Sequence, residues 1–214
     1  MSTSTALLTP DRSRNVSSQP HETGTASAWI RRWTHLIPPG GTVLDVACGY
    51  GRHVRWFAER GHAVVALDRS AEALDSLRPM AHCHAVQLVQ ADIENGPWPL
   101  FDGNAARRFD GVVVTNYLWR PLFPTLLRSL SVNGVLLLET FATGNGSVGK
   151  PSRPDFLLAT GELLRECAGL RVVAFEDGFC DMPERFVQRI AAVNAAAATG
   201  SDGAIAVTPR RYPL

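Results

Sequence analysis

A chain of 214 residues is long enough for one α/β domain with a sizeable core, which buries roughly 70% of the surface its unfolded form exposes. Hydrophobic residues make up 45% and charged residues 19%, a globular balance, and a formal net charge of +1 gives no basic excess that would call for a nucleic acid. Cysteines at 48, 83, 167 and 180 show no CxxC spacing, which argues against a metal site and a disulfide scaffold, and no apolar run approaches the roughly 20 residues of a membrane span.

Residues 1–25, rich in Ser and Thr and without a signal peptide's apolar middle, read as a disordered leader of a cytoplasmic protein. Residues 26–194 read as the domain, and 195–214, with an Ala run, Gly200, Gly203 and Pro209, as a flexible tail. Within the domain, Trp29, Ile30, Trp33, Leu36 and Ile37 recur at helical spacing, so Ala26 to Leu36 is predicted as an amphipathic helix stopped by Pro38-Pro39-Gly40-Gly41. Thr42 to Val46 is a buried strand, followed by a glycine-bearing turn and a helix that buries Val54, Phe57 and Ala58 and ends at Gly61. Ala63 to Leu67 is a second strand ending on Asp68, with Ser70 as the cap of the next helix. Ala85 to Gln90 and Phe109 to Thr115 are a third and a fourth. A helix marked by Phe123, Leu126, Leu127 and Leu130 leads through Asn133-Gly134 into a fifth, Val135 to Glu139. Unbroken apolar strands between helical segments indicate a parallel sheet covered on both faces. Arg171 to Phe175 and Phe186 to Val193 are joined too closely for a helical crossover and are expected to pair antiparallel.

In open parallel sheets ligands bind beyond the carboxyl ends of the strands, so functional residues should follow each strand. The first is followed by Ala47-Cys48-Gly49-Tyr50-Gly51-Arg52-His53, where small residues admit a ligand to the backbone and the helix near Gly51 directs its amides toward it. A dinucleotide fingerprint asks for a third small residue where Val54 stands, and Asp45 would repel a pyrophosphate. S-adenosylmethionine has no phosphate and carries a sulfonium and an α-amino group, which a carboxylate favours. Asp68, 19 residues past Gly49, suits the ribose hydroxyls; Asp92 can accept from an adenine amino group and Ile93 can pack on the ring.

These residues resemble the class I S-adenosylmethionine-dependent methyltransferases, from about Trp29 to Val193. Val-Leu-Asp-Val-Ala-Cys-Gly-Tyr-Gly-Arg-His is similar to the family's first motif, with Ala47 where glycine is commonest; Val-Ala-Leu-Asp68 is similar to the ribose motif and Ala-Asp92-Ile93 to the adenine motif. The resemblance implies a Rossmann-like, mostly parallel seven-stranded sheet whose last strand is antiparallel, helices on both faces, and no metal. It implies donor binding by Asp45, Ala47, Cys48, Gly49, Gly51, Asp68, Arg69, Asp92, Ile93 and Asn116. Thr115-Asn-Tyr-Leu-Trp-Arg-Pro121 and Glu139-Thr-Phe-Ala-Thr-Gly-Asn145 look like a bacterial subgroup grouped with tellurite-resistance methyltransferases.

The expected activity is methyl transfer to a small-molecule acceptor by in-line displacement, with alignment of the nucleophile as the main task. A soft, ionised acceptor needs no general base; an oxygen or nitrogen acceptor calls for one. Tyr117, Arg120 and His53 are the acceptor-side candidates, with rim packing, a surface ion pair and a structural hydrogen bond as their respective alternatives. The glycine- and proline-rich stretch from Phe141 to Pro154 is long for a strand-to-helix connection and is expected to act as a lid. Two other readings stay open: a catalytically silent donor-binding module and a nicotinamide oxidoreductase. No nucleic-acid or membrane partner is expected, and the sequence is compatible with a homo-oligomer.

Overall fold

A computed structural model describes residues 24–195 and 211–214. Most of the leader and most of the tail expected from the sequence lie outside these residues. Strands β1 (Thr42–Val46), β2 (Ala63–Asp68) and β3 (Val86–Gln90) alternate with α1 (Ala28–Trp33), α2 (Arg52–Ala58), α3 (Ala71–Asp75) and α4 (Arg78–Cys83). A small hairpin, β4 (Phe101–Asp102) and β5 (Ala105–Ala106), precedes β6 (Phe109–Thr115), α5 (Phe123–Arg128), β7 (Leu130–Phe141) and α6 (Glu162–Glu166). The closing hairpin is β8 (Arg171–Asp181) and β9 (Glu184–Val193).

Seven strands form one sheet in the order β3-β2-β1-β6-β7-β9-β8, with β9 antiparallel to both neighbours. The central strands are apolar along their whole length because both faces are covered. Ile30, Trp33, Val54, Phe57 and Leu77 pack on one face against Val43, Val64, Val113, Leu137 and Ala191. Phe123, Leu126, Leu163 and Cys167 pack on the other against Leu44, Val112, Leu136 and Ile190.

Local chemistry fixes the helix starts. The Ser27 hydroxyl accepts from Trp29 N (3.1 Å) at the head of α1, and that of Ser70 accepts from Ala73 N (3.2 Å) at the head of α3. The final hairpin is longer than the apolar runs suggest, since it projects past the core as far as the Met182–Pro183 turn. Strand β7 also starts earlier than expected. Asn133-Gly134 is an irregularity inside it, with Asn133 at φ 63° and Gly134 O accepting from Asn194 N. At the chain's end, Tyr212 packs against the α1 face and Pro213 O lies 3.2 Å from His35 Nε2. Among the described residues no helix is long and apolar enough to cross a membrane.

Candidate functional site

At the carboxyl ends of β1, β2 and β6 the chain leaves a cleft of about 700 Å³. Ala47, Cys48, Gly49 and Gly51 from the turn after β1, Asp68 and Arg69 after β2, and Asn116 and Tyr117 after β6 all line it. These eight positions, and His53 with them, are the sequence candidates that line it. Arg52, His53 and Thr115 line it as well.

The turn is built from left-handed residues. Gly49 stands at φ 53° and Gly51 at φ 73°, and a Cβ on Gly51 would come within 2.5 Å of Leu77 Cδ2. A Cβ on Gly49 would meet nothing within 4 Å, so that glycine opens onto free space beside the backbone. Ala47 is left-handed too, at φ 52°, a strained position for any residue with a side chain.

Asp68 braces this turn. One carboxylate oxygen accepts from Gly49 N at 2.8 Å and the other from Ser70 N at 2.8 Å. A carboxylate offers about four acceptor sites, so both oxygens retain a lone pair for a ligand hydroxyl. The Gly49 amide that a pyrophosphate would need is already engaged.

Asp45 lies beneath the turn and not on the cleft wall. It is 1% exposed, the backbone amide of Val54 in α2 bonds its carboxyl, and Oδ2 has no partner. Burial, reinforced by Asp68 and opposed by Arg52, pushes its pKa up to about 8. The same burial, with Asp45 and Asp68 nearby, pushes the Cys48 thiol up and keeps it protonated. Asp92 and Ile93 also stay off the cleft wall. The Asp92 carboxylate accepts from Glu94 N, Asn95 N and Asn95 Nδ2, forming a local turn, while Ile93 packs against the core.

The three acceptor-side candidates separate. Arg120 is fully engaged: Nε and Nη2 grip Glu162 at 2.7 and 3.0 Å, and two further bonds reach the carbonyls of Asp155 and Leu157. It fastens the loop after β6 to the segment before α6 and offers no free fork to a ligand. His53 Nε2 accepts from Ser27 N at 3.2 Å and Nδ1 lies 3.4 Å from Thr115 Oγ1. Burial first, then Arg52, lowers its pKa to about 3, so the ring is neutral and holds the entry to α1. Tyr117 alone presents both a cleft face and a buried hydroxyl, which lies beside Glu94. Burial and the nearby Glu94 raise its pKa.

Beside the cleft, the sheet carries charges that the sequence reading did not single out. Thr115, Glu139, Arg189 and Glu176 are register partners across β6, β7, β9 and β8. Glu139, 1% exposed, takes Arg189 Nε at 2.6 Å, Arg185 Nη2 at 3.5 Å and the Ser27 hydroxyl at 3.1 Å. The signal was the spacing: Arg185 and Arg189, four apart in a strand, point to one face. The 141–154 segment contributes no residue to the cleft wall; the Asn145 side chain ties it down by donating to Pro151 O and accepting from Phe186 N.

Residues 43–133, from β1 into β7, match the family described as methyltransferase domain. The malonyl-[acyl-carrier protein] O-methyltransferase of Serratia marcescens is 35% identical to the chain over 111 residues, covering 50% of the chain and 41% of that relative. The chain spans about half or less of the length of the curated relatives it matches. Among solved structures, TehB of Haemophilus influenzae superposes with a TM-score of 0.61 at 18% identity, over 77% of this chain and 60% of that one. An S-adenosylmethionine dependent methyltransferase of Mesorhizobium loti gives 0.60 at 18% identity, over 78% and 98%. At these identities the structural likeness establishes the fold alone. Residues 43–133, which hold the glycine turn and the strand-end carboxylate, thus match a methyltransferase domain family, on a sheet with the fold of solved S-adenosylmethionine-dependent methyltransferases.

Proposed function

We propose that the chain transfers the methyl group of S-adenosylmethionine to a small-molecule acceptor by in-line displacement. The observation that carries this reading is Asp68, whose carboxylate is bonded to Gly49 N at 2.8 Å and still faces the cleft. A fixed carboxylate at that point suits a ribose diol and repels a phosphate.

The residues fit the donor. Gly49 leaves room for it, Asp68 and Arg69 would hold the ribose end, and Asn116 with Thr115 would flank the amino-acid end. Arg52, in the first turn of α2, is a cation available to the donor's carboxylate; among the described residues its side chain makes one hydrogen bond, a 3.4 Å contact to Thr115 Oγ1. When bound, the donor supplies an electrophilic methyl on a sulfonium, and its leaving thioether needs no proton.

The chain's own part is then alignment and exclusion of water, which can account for roughly 7–11 kcal/mol of the barrier. Tyr117 stands on the acceptor side. Its raised pKa makes it a hydrogen-bond donor that orients the nucleophile, not a base. Asp92 and Ile93 would reach the adenine through movement of the 92–95 turn. A transfer assay with methyl-labelled donor across thiols, carboxylates and amines tests the activity. Donor binding without transfer to any acceptor class would favour a silent binding module.

A further inference from the structure

The rim beside the cleft holds more positive charge than its carboxylates offset. Arg52, Arg185 and Arg189 converge there, against Glu139 and, at the solvent edge, Glu176. Arg189 is matched on both sides: Glu139 lies 2.6 Å from Nε and Glu176 3.1 Å from Nη1. Arg185 is not. Among the described residues its only approach to a carboxylate within 4 Å is 3.5 Å, its Nε is buried without a hydrogen bond, and its side chain is 19% exposed.

Arg185 also lies close enough to Arg52 to disfavour the charge on Arg52. Asp45 gives little relief, since burial keeps it protonated below about pH 8. A guanidinium left in this condition is costly unless an anion completes it.

The donor does not supply that anion. Its carboxylate and ammonium cancel, and its sulfonium adds one more positive charge to the site. Resting on the donor reading above, we infer that Arg185, approached from below by Glu139, binds a carboxylate group of the methyl acceptor. Arg185 is one unmatched guanidinium, and the planar fork of arginine matches a carboxylate in bidentate fashion. The substrate class is therefore a small organic acid.

The test uses the full chain saturated with S-adenosylhomocysteine, its thermal unfolding followed in propionate, in the neutral isostere propionamide and in inorganic phosphate at matched ionic strength. Propionate should raise the wild-type Tm while propionamide does not. Arg185→Gln should weaken propionate binding by about ten-fold or more, and Arg185→Lys should recover part of it, having charge without the fork. In anion-free buffer Arg185→Gln should melt no lower than wild type, because the cation it removes lacks a full partner.

Equal responses to propionate and propionamide would overturn the inference, as would a phosphate response matching that of propionate. A lower Tm for Arg185→Gln without anion would make Arg185 a structural partner of Glu139, overturning it too. Calorimetry with S-adenosylhomocysteine on the same samples separates the two proposals. Failure of wild type to bind it would remove the donor reading itself, whereas intact binding without propionate selectivity would remove only the role of Arg185.

Discussion

The carboxylate of Asp68 accepts the backbone N–H of Gly49 at 2.8 Å, joining the end of β2 to the turn after β1. That bond gives Asp68 two duties. It shapes the turn, and it presents the remaining lone pairs to the cleft. Asp68→Ala should therefore lower donor affinity by about 10- to 100-fold, the loss of one or two charge-assisted hydrogen bonds. It should also lower stability by about 1–2 kcal/mol, because Gly49 N and Ser70 N lose their acceptor. Calorimetry with S-adenosylhomocysteine and urea unfolding measure the two effects. Neither amide contact is visible in the sequence.

Ala47 at φ 52° predicts a stabilising substitution. Ala47→Gly relieves about 1–2 kcal/mol of left-handed strain and gives back about 0.4–1 kcal/mol through the freer unfolded chain. A net gain of about 0.5–1 kcal/mol should appear as a raised urea midpoint with an unchanged m-value.

Two buried groups titrate in opposite senses. The native pKa of Asp45 is raised to about 8, so the native state holds a proton that the unfolded state has released, and stability falls as pH rises toward 8. The native pKa of His53 is lowered to about 3, so the unfolded state holds the extra proton between pH 3 and 6.5, and stability falls as pH drops through that range. From about pH 4 to 6.5 the two slopes offset each other. Above 6.5 that of Asp45 remains, at most about 1.4 kcal/mol per pH unit. Asp45→Asn should flatten the decline between pH 6.5 and 8, and His53→Gln should extend that decline down toward pH 4. Urea unfolding across the pH range checks both.

Arg120 holds Glu162 and two carbonyls, and its role is mechanical. Arg120→Ala should destabilise the chain by about 1–2 kcal/mol, the exposed part of the guanidinium being screened. It should leave S-adenosylhomocysteine affinity within about two-fold of wild type. A large loss of affinity with unchanged stability would contradict that assignment.

The sheet was legible because Val112-Val113-Val114 and its counterparts are unbroken apolar runs, which only a strand buried on both faces requires. The β4–β5 hairpin was not, since two-residue strands around Gly103 leave no periodic pattern. Asn133-Gly134 carries a strong turn signal, yet cross-strand bonds to Asn194 hold it within β7. In the site, glycine spacing and strand-end position identified the turn, Asp68 and Asn116. Whether Asp45 and Asp92 face a ligand or their own backbone depends on side-chain direction, which spacing does not encode. An ion pair was among the readings for Arg120, but its partner Glu162, 42 residues away, could not be named from sequence. The cluster around Glu139 joins β7, β9 and the segment before α1, a convergence that only the folded sheet reveals.

Side-by-side calorimetry of the wild-type chain with S-adenosylhomocysteine, S-adenosylmethionine and NAD tests the central claim most directly. Both sulfur nucleosides should bind with one-to-one stoichiometry and NAD should give no heat. Silence from the two nucleosides, or tight binding of NAD, would contradict the account.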